Sequence, residues 1–114
     1  MLSKNDRERL HHILDSMEKL DTALFGYTFA QFVEDWQKQL VIERLLEIIG
    51  EASAHLSPEL REQYFNIPWA KMVGMRNVVS HQYFRIDLTS IWYTAVEAVP
   101  PLHVEIQHIL EQEP

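Results

Sequence analysis

Apolar residues return every three or four positions along most of this chain, and no segment alternates apolar with polar over a strand's length. That spacing puts the apolar set on one stripe of a helix, so the chain reads as all-α. The first run is the clearest case. Leu10, Ile13, Leu14, Met17 and Leu20 mark one buried face of a helix from about Asn5 to about Leu24. Ser3 or Asn5 is placed to cap it, and Gly26 ends it.

Thr28 opens a second segment, TFAQFVEDWQKQLVIERLLEIIGEASAHL. Phe29, Phe32, Val33 and Trp36 lie along one side, and Leu40, Val41, Leu45, Ile48 and Ile49 continue the apolar set. The run is long for one globular helix, so a kink or break is expected between Asp35 and Lys38. Gly50 weakens the helix interior by about 1 kcal/mol relative to Ala, and a close helix–helix contact would explain it. Ser57-Pro58 and Ile67-Pro68 each read as a start, with Pro at the first position. Pro68 introduces the helix that carries WAKMVGMRNVVSH. Asp87 caps a last helix from Leu88, and Pro100-Pro101, with no N–H to donate, must kink or break it. A tail from Leu102 to about Glu111 follows. The expected architecture is an up-down bundle of four to five helices, one domain spanning 1–114.

Composition narrows the function. There is no Cys, hence no disulfide or thiolate chemistry. No apolar run reaches the roughly 20 residues of a membrane span, and the charged start, MLSKNDRERLHHIL, lacks the apolar core of a signal peptide. A cytoplasmic protein is expected. The formal net charge of −7 argues against a general nucleic-acid binder but leaves room for a local basic site.

The chemistry gathers in RNVVSHQYF, Arg76 to Phe84. On a continuous helix, Trp69, Met72, Met75 and Val79 would mark the apolar sector, with Arg76 and Tyr83 at its edge. Asn77 and His81 fall on the polar side, and Ser80 lies between Arg76 and Asn77. The Arg donor fork matches phosphate oxygens, and His suits proton transfer near neutral pH. On RNA, an imidazole would take the 2′-hydroxyl proton while Arg stabilises charge on the attacked phosphate, chemistry that needs no metal. Arg76 and His81 are five apart, so on one helix they point roughly 140° from each other. Two copies across a two-fold axis would bring both into one cleft. A helical Arg and His at a bundle surface are more often solvated or salt-bridged, so the residues alone leave both readings open.

Other groups are weaker. His11 and His12 diverge on a helix, and His103 and His108 have no paired carboxylate, so no metal site is expected. Glu43, Glu47 and Glu51 form a row that reads as a solvated face with partners such as Arg44. Glu51, beside Gly50, is also a candidate contact to the Arg76 region. The Trp and Met residues read as core.

Arg76-Asn77-x-x-x-His81-x-Tyr83 resembles the signature of the HEPN superfamily. More closely, it is similar to the HepT-like ribonuclease toxins paired with minimal nucleotidyltransferase (MNT) antitoxins. ERLLEIIGEA, IPWAKMVGMRN and DLTSIWYTAVEAVPPL also look like family segments, covering most of residues 28–102. The resemblance implies an HEPN-like helical bundle and a homodimeric, metal-independent endoribonuclease without cofactor. Arg76 and His81 would be catalytic and Asn77 supporting, with Ser80 near them. Tyr83 would be the residue that the antitoxin modifies with AMP. Relatives of a second kind are inert helical modules that help a nucleotidyltransferase hold its substrate, and that is the alternative.

Overall fold

Five of the described helices begin where a short polar side chain accepts from an otherwise orphaned backbone N–H. In the computed structural model, which describes residues 2–77 and 87–113, Ser3 Oγ accepts from Asp6 N and opens α1 (Lys4–Leu24). Gly26 ends the entry into the next turn with a positive φ of 77°. Thr28 and Gln31 form a reciprocal capping box at the start of α2 (Phe29–Glu34). The expected break falls at Asp35, which closes α2 and caps α3 (Trp36–Ala54) through Lys38 N at 2.9 Å. Ser57 with Pro58 opens α4 (Pro58–Gln63), Pro68 precedes α5 (Trp69–Gly74), and Asp87 caps α6 (Leu88–Tyr93).

The fold is an all-α, HEPN-like bundle without strands among the described residues. α1 packs along α3, and α5 crosses α3 near its C-terminal end. The last helix, α7 (Val99–Gln112), returns along α1, giving a body of 45 × 28 × 21 Å. Leu10, Ile13, Met17, Leu20, Ile42, Leu46, Ile49 and Ile106 form the fully buried centre. No described helix is long and apolar enough to cross a membrane.

Pro100-Pro101 act differently from a simple break. A wide π turn, Thr94–Ala98, joins α6 to α7, and the two prolines sit in the first turn of α7. There their missing N–H groups cost little, and the wider turn removes the clash with the preceding carbonyls. Two further expectations are corrected. Trp36 is 65% exposed, and Phe29, Val33, Leu40 and Val41 are exposed with it; of Phe29, Phe32, Val33 and Trp36 only Phe32 reaches the core, and the later part of the set does so through Leu45 and Ile49. α2 is a short, separate helix, so its apolar residues cannot all turn toward the one face of α3 that meets α1. Nor does the helix from Trp69 run straight through the polar cluster. It stops at Gly74, and Met75-Arg76 form a tight turn with bonds to Met72 and Val73 carbonyls.

Two long-range clasps tie the ends together. The buried Asp6 carboxylate accepts from Ser57 N at 3.0 Å and Ser57 Oγ at 2.5 Å, joining the start of α1 to the start of α4. At the other end Tyr64 Oη donates to Glu113 at 2.7 Å. Burial and then that bond push the Tyr64 phenol up to about 12, and the same bond holds the Glu113 carboxyl below its ordinary value. A depressed carboxyl stabilises the fold above its unfolded value and stops doing so as pH falls through its folded one. Thermal melts from neutral pH down through the carboxylate range should therefore show a component of acid destabilisation that Tyr64→Phe reduces, leaving the part held by Gln63. An identical acid profile in the variant would mean that the clasp contributes nothing.

Candidate functional site

Glycine at position 50 decides where the polar cluster sits. A Cβ built there would lie 2.4 Å from Arg76 N, 2.7 Å from Arg76 Cβ and 3.0 Å from Arg76 Cα. The turn at Met75-Arg76 thus lies directly on the α3 backbone, an approach only glycine permits. Gly74 has a different role: an added Cβ would touch nothing within 4 Å, so it weakens the helix where α5 stops without making room for a neighbour.

From that seat the Arg76 guanidinium turns to the next residue of α3. Its Nη1 donates to Glu51 Oε1 at 2.9 Å, across 25 positions of sequence. Both side chains remain partly in water, at 38% and 53% exposure. Such a pair holds a geometry more than it stabilises a fold. It leaves guanidinium N–H groups directed at whatever enters beside it. The acidic row on α3 is divided by function. Glu51 serves Arg76, Glu47 accepts from Arg44 on its own helix, and burial raises the Glu43 carboxyl above its ordinary value. Asn77, exposed, follows Arg76 directly. Ser80, His81 and Tyr83 lie outside the described residues. No group of three or more His, Asp or Glu able to hold a metal ion occurs among the described residues.

A turn presenting an Arg from a glycine seat, immediately before the residues read as Arg-x4-His, is what the comparison with known proteins bears on. The family model "Ribonuclease HepT-like" matches residues 13–109. This chain belongs to the HepT-like ribonuclease family. Curated HepT-like relatives match nearly end to end. A protein named "Putative RNase" from Caldanaerobacter subterraneus subsp. tengcongensis is 37% identical over 110 residues, 96% of this chain and 98% of the relative. Another of that name from Methanocaldococcus jannaschii is 35% identical, over 93% of this chain and 98% of the relative. A "Probable ribonuclease HepT" from Thermococcus cleftensis is 31% identical, over 89% and 92%. No solved structure matches this HepT-like chain.

Proposed function

We propose that this HepT-like chain is a metal-independent endoribonuclease toxin whose site forms between two copies of the chain. The observation that carries the reading is the seating of Arg76 on Gly50 with its guanidinium held by Glu51. A phosphate-binding cation is thereby fixed at the edge of the bundle, next to the segment that contains His81. His81 takes the proton of an RNA 2′-hydroxyl. The 2′-oxygen attacks the adjacent phosphorus, the bond to the 5′-oxygen breaks, and that oxygen takes a proton from water while the His81 imidazolium returns its own to solvent. The product is a 2′,3′-cyclic phosphate. Arg76 stabilises the charge that builds on the phosphate oxygens, Glu51 positions Arg76, and Asn77 and Ser80 are supporting residues. Pairing two copies about a two-fold axis would bring the Arg76 and His81 of both chains into one cleft.

Control follows from Tyr83. An AMP group placed there by a cognate MNT-type nucleotidyltransferase brings negative charge and bulk to a cleft meant for RNA phosphate. The names borne by the relatives support the choice of RNA as substrate. The direct test is cleavage of RNA by the purified chain in EDTA. Activity that survives chelation, with cyclic-phosphate ends and a dimer in solution scattering, is the expected result. Loss of activity with EDTA, or a monomer that cleaves fully, would overturn it.

The regulation has its own test. Co-expression with the nucleotidyltransferase should add AMP to the Tyr83 peptide, seen by mass spectrometry, and silence the toxin. Tyr83→Phe should remain toxic under the same co-expression. An unmodified protein, with Tyr83→Phe silenced as well as the parent, would replace modification with simple occlusion by the partner.

A further inference from the structure

On the flank of α3 that faces α1 lies a shallow groove of about 370 Å³. Arg9 and His12, three apart on α1, form one wall. Arg44, Glu51 and His55, spaced seven and four along α3, form the other, with Ile48 between them. This gathers cations on a chain that carries 10 Lys and Arg against 17 Asp and Glu. The carboxylates nearby are already committed, Glu47 to Arg44 and Glu51 to Arg76. Arg9 makes no ion pair among the described residues. His55 Nδ1 lies 2.8 Å from the Glu51 carbonyl, and since a carbonyl only accepts, Nδ1 carries the proton. Nε2 is then the imidazole's free polar atom. Glu51 lines the groove and pairs with Arg76, so the groove and the Arg76 seat lie either side of a single side chain.

We propose that this groove is a backbone track for the RNA strand flanking the cleaved phosphate. Arg9 and Arg44 take strand phosphates, while His12 and His55 contact the sugar, His55 through an Nε2 that accepts from a 2′-hydroxyl. No Trp, Tyr or Phe lines the groove, so it grips the backbone without a stacking platform and carries no base preference. A local track of this kind also answers the charge problem. An acidic chain binds RNA where its few cations are concentrated, and the rest of its surface repels non-specific contact. The track rests on the ribonuclease reading only in taking RNA as the strand.

The test uses the full chain and a fluorescein-labelled 12-nucleotide RNA of mixed sequence, followed by anisotropy across a salt series. A matching dinucleotide, whose single phosphodiester cannot fill both the centre and the groove, reports cleavage at the centre in the parent. Each phosphate contact on a single strand contributes about 0.7 to the slope of log affinity against log salt. Arg9→Gln should lower that slope by about 0.7 and the Arg9→Gln, Arg44→Gln pair by about 1.4, with binding weakened several-fold at low salt. Arg9→Gln is the cleaner variant, because removing Arg44 also releases Glu47. If the parent binds the 12-mer with this dependence but cleaves neither RNA, the track stands and the ribonuclease reading falls. Unchanged affinity and slope in both variants overturn the track, whatever the cleavage result. So does a parent that binds dinucleotide and 12-mer equally well. Loss of nucleotidyltransferase capture with RNA binding intact also overturns it, and makes the groove a protein-docking surface.

Discussion

Arg76→Ala is expected to lower RNA cleavage by about 10²–10³-fold, the usual effect of removing one donor to a transition-state oxyanion. The folded state should scarcely notice. The bond lost is an ion pair whose two side chains are 38% and 53% exposed, and such pairs contribute about 0–1 kcal/mol. The combination is diagnostic: activity falls by orders of magnitude while the melting temperature moves by no more than a few degrees. His81→Ala should match it in activity, because without the imidazole the 2′-hydroxyl keeps its proton. Rates measured under saturating RNA, together with thermal melts, separate the outcomes. Full cleavage by either variant would remove the mechanism. A large drop in melting temperature for Arg76→Ala would instead make the Arg76–Glu51 pair a structural strut and favour the inert-module reading.

Gly50→Ala tests the seat rather than the cation. In an open helix interior this change stabilises by roughly 0.5–1 kcal/mol. Here the added carbon would meet backbone atoms of Arg76 at 2.4 and 3.0 Å, and backbone cannot rotate out of the way as a flexible side chain does. The expected sign is therefore reversed, a loss of about 1–3 kcal/mol typical of overpacking. Cleavage should fall as well, since the turn carrying Arg76 must lift from α3 and the Glu51 bond must stretch. Gly74→Ala is the paired control. Nothing lies within 4 Å of its new carbon, so it should not destabilise. Denaturant titration of both variants reads the difference. A Gly50→Ala protein as stable as the parent would mean that the approach of Arg76 to α3 is not fixed.

The features legible in the sequence are those set within one or two helical turns. The all-α class follows from periodicity, because a residue's neighbours at three and four positions share its face whatever the rest of the chain does. The caps were readable for the same reason: Ser3, Thr28, Ser57 and Asp87 each satisfy an N–H three residues away, while Asp35 was legible only as part of an expected break. Gly50 signalled a close approach by its cost. The identity of the approaching group, Arg76, needed the fold.

What only the tertiary structure decided depends on groups distant in sequence. The exposure of Trp36 and Leu40 reflects which side of α2 and α3 other elements cover, and hydrophobicity alone says nothing of that. The bond from Ser57 to the buried Asp6 spans 51 positions. The turn at Met75-Arg76 interrupts a pattern that reads as continuous helix, because Gly74 is a weak helix former and the segment settles on the α3 backbone. The groove of Arg9, His12, Arg44 and His55 exists only because α1 and α3 lie side by side. Local hydrogen bonds and periodicity are properties of a segment and travel with its sequence. Burial, ion pairs between helices and grooves belong to pairs of segments, and which pairs meet is settled by packing the whole core at once.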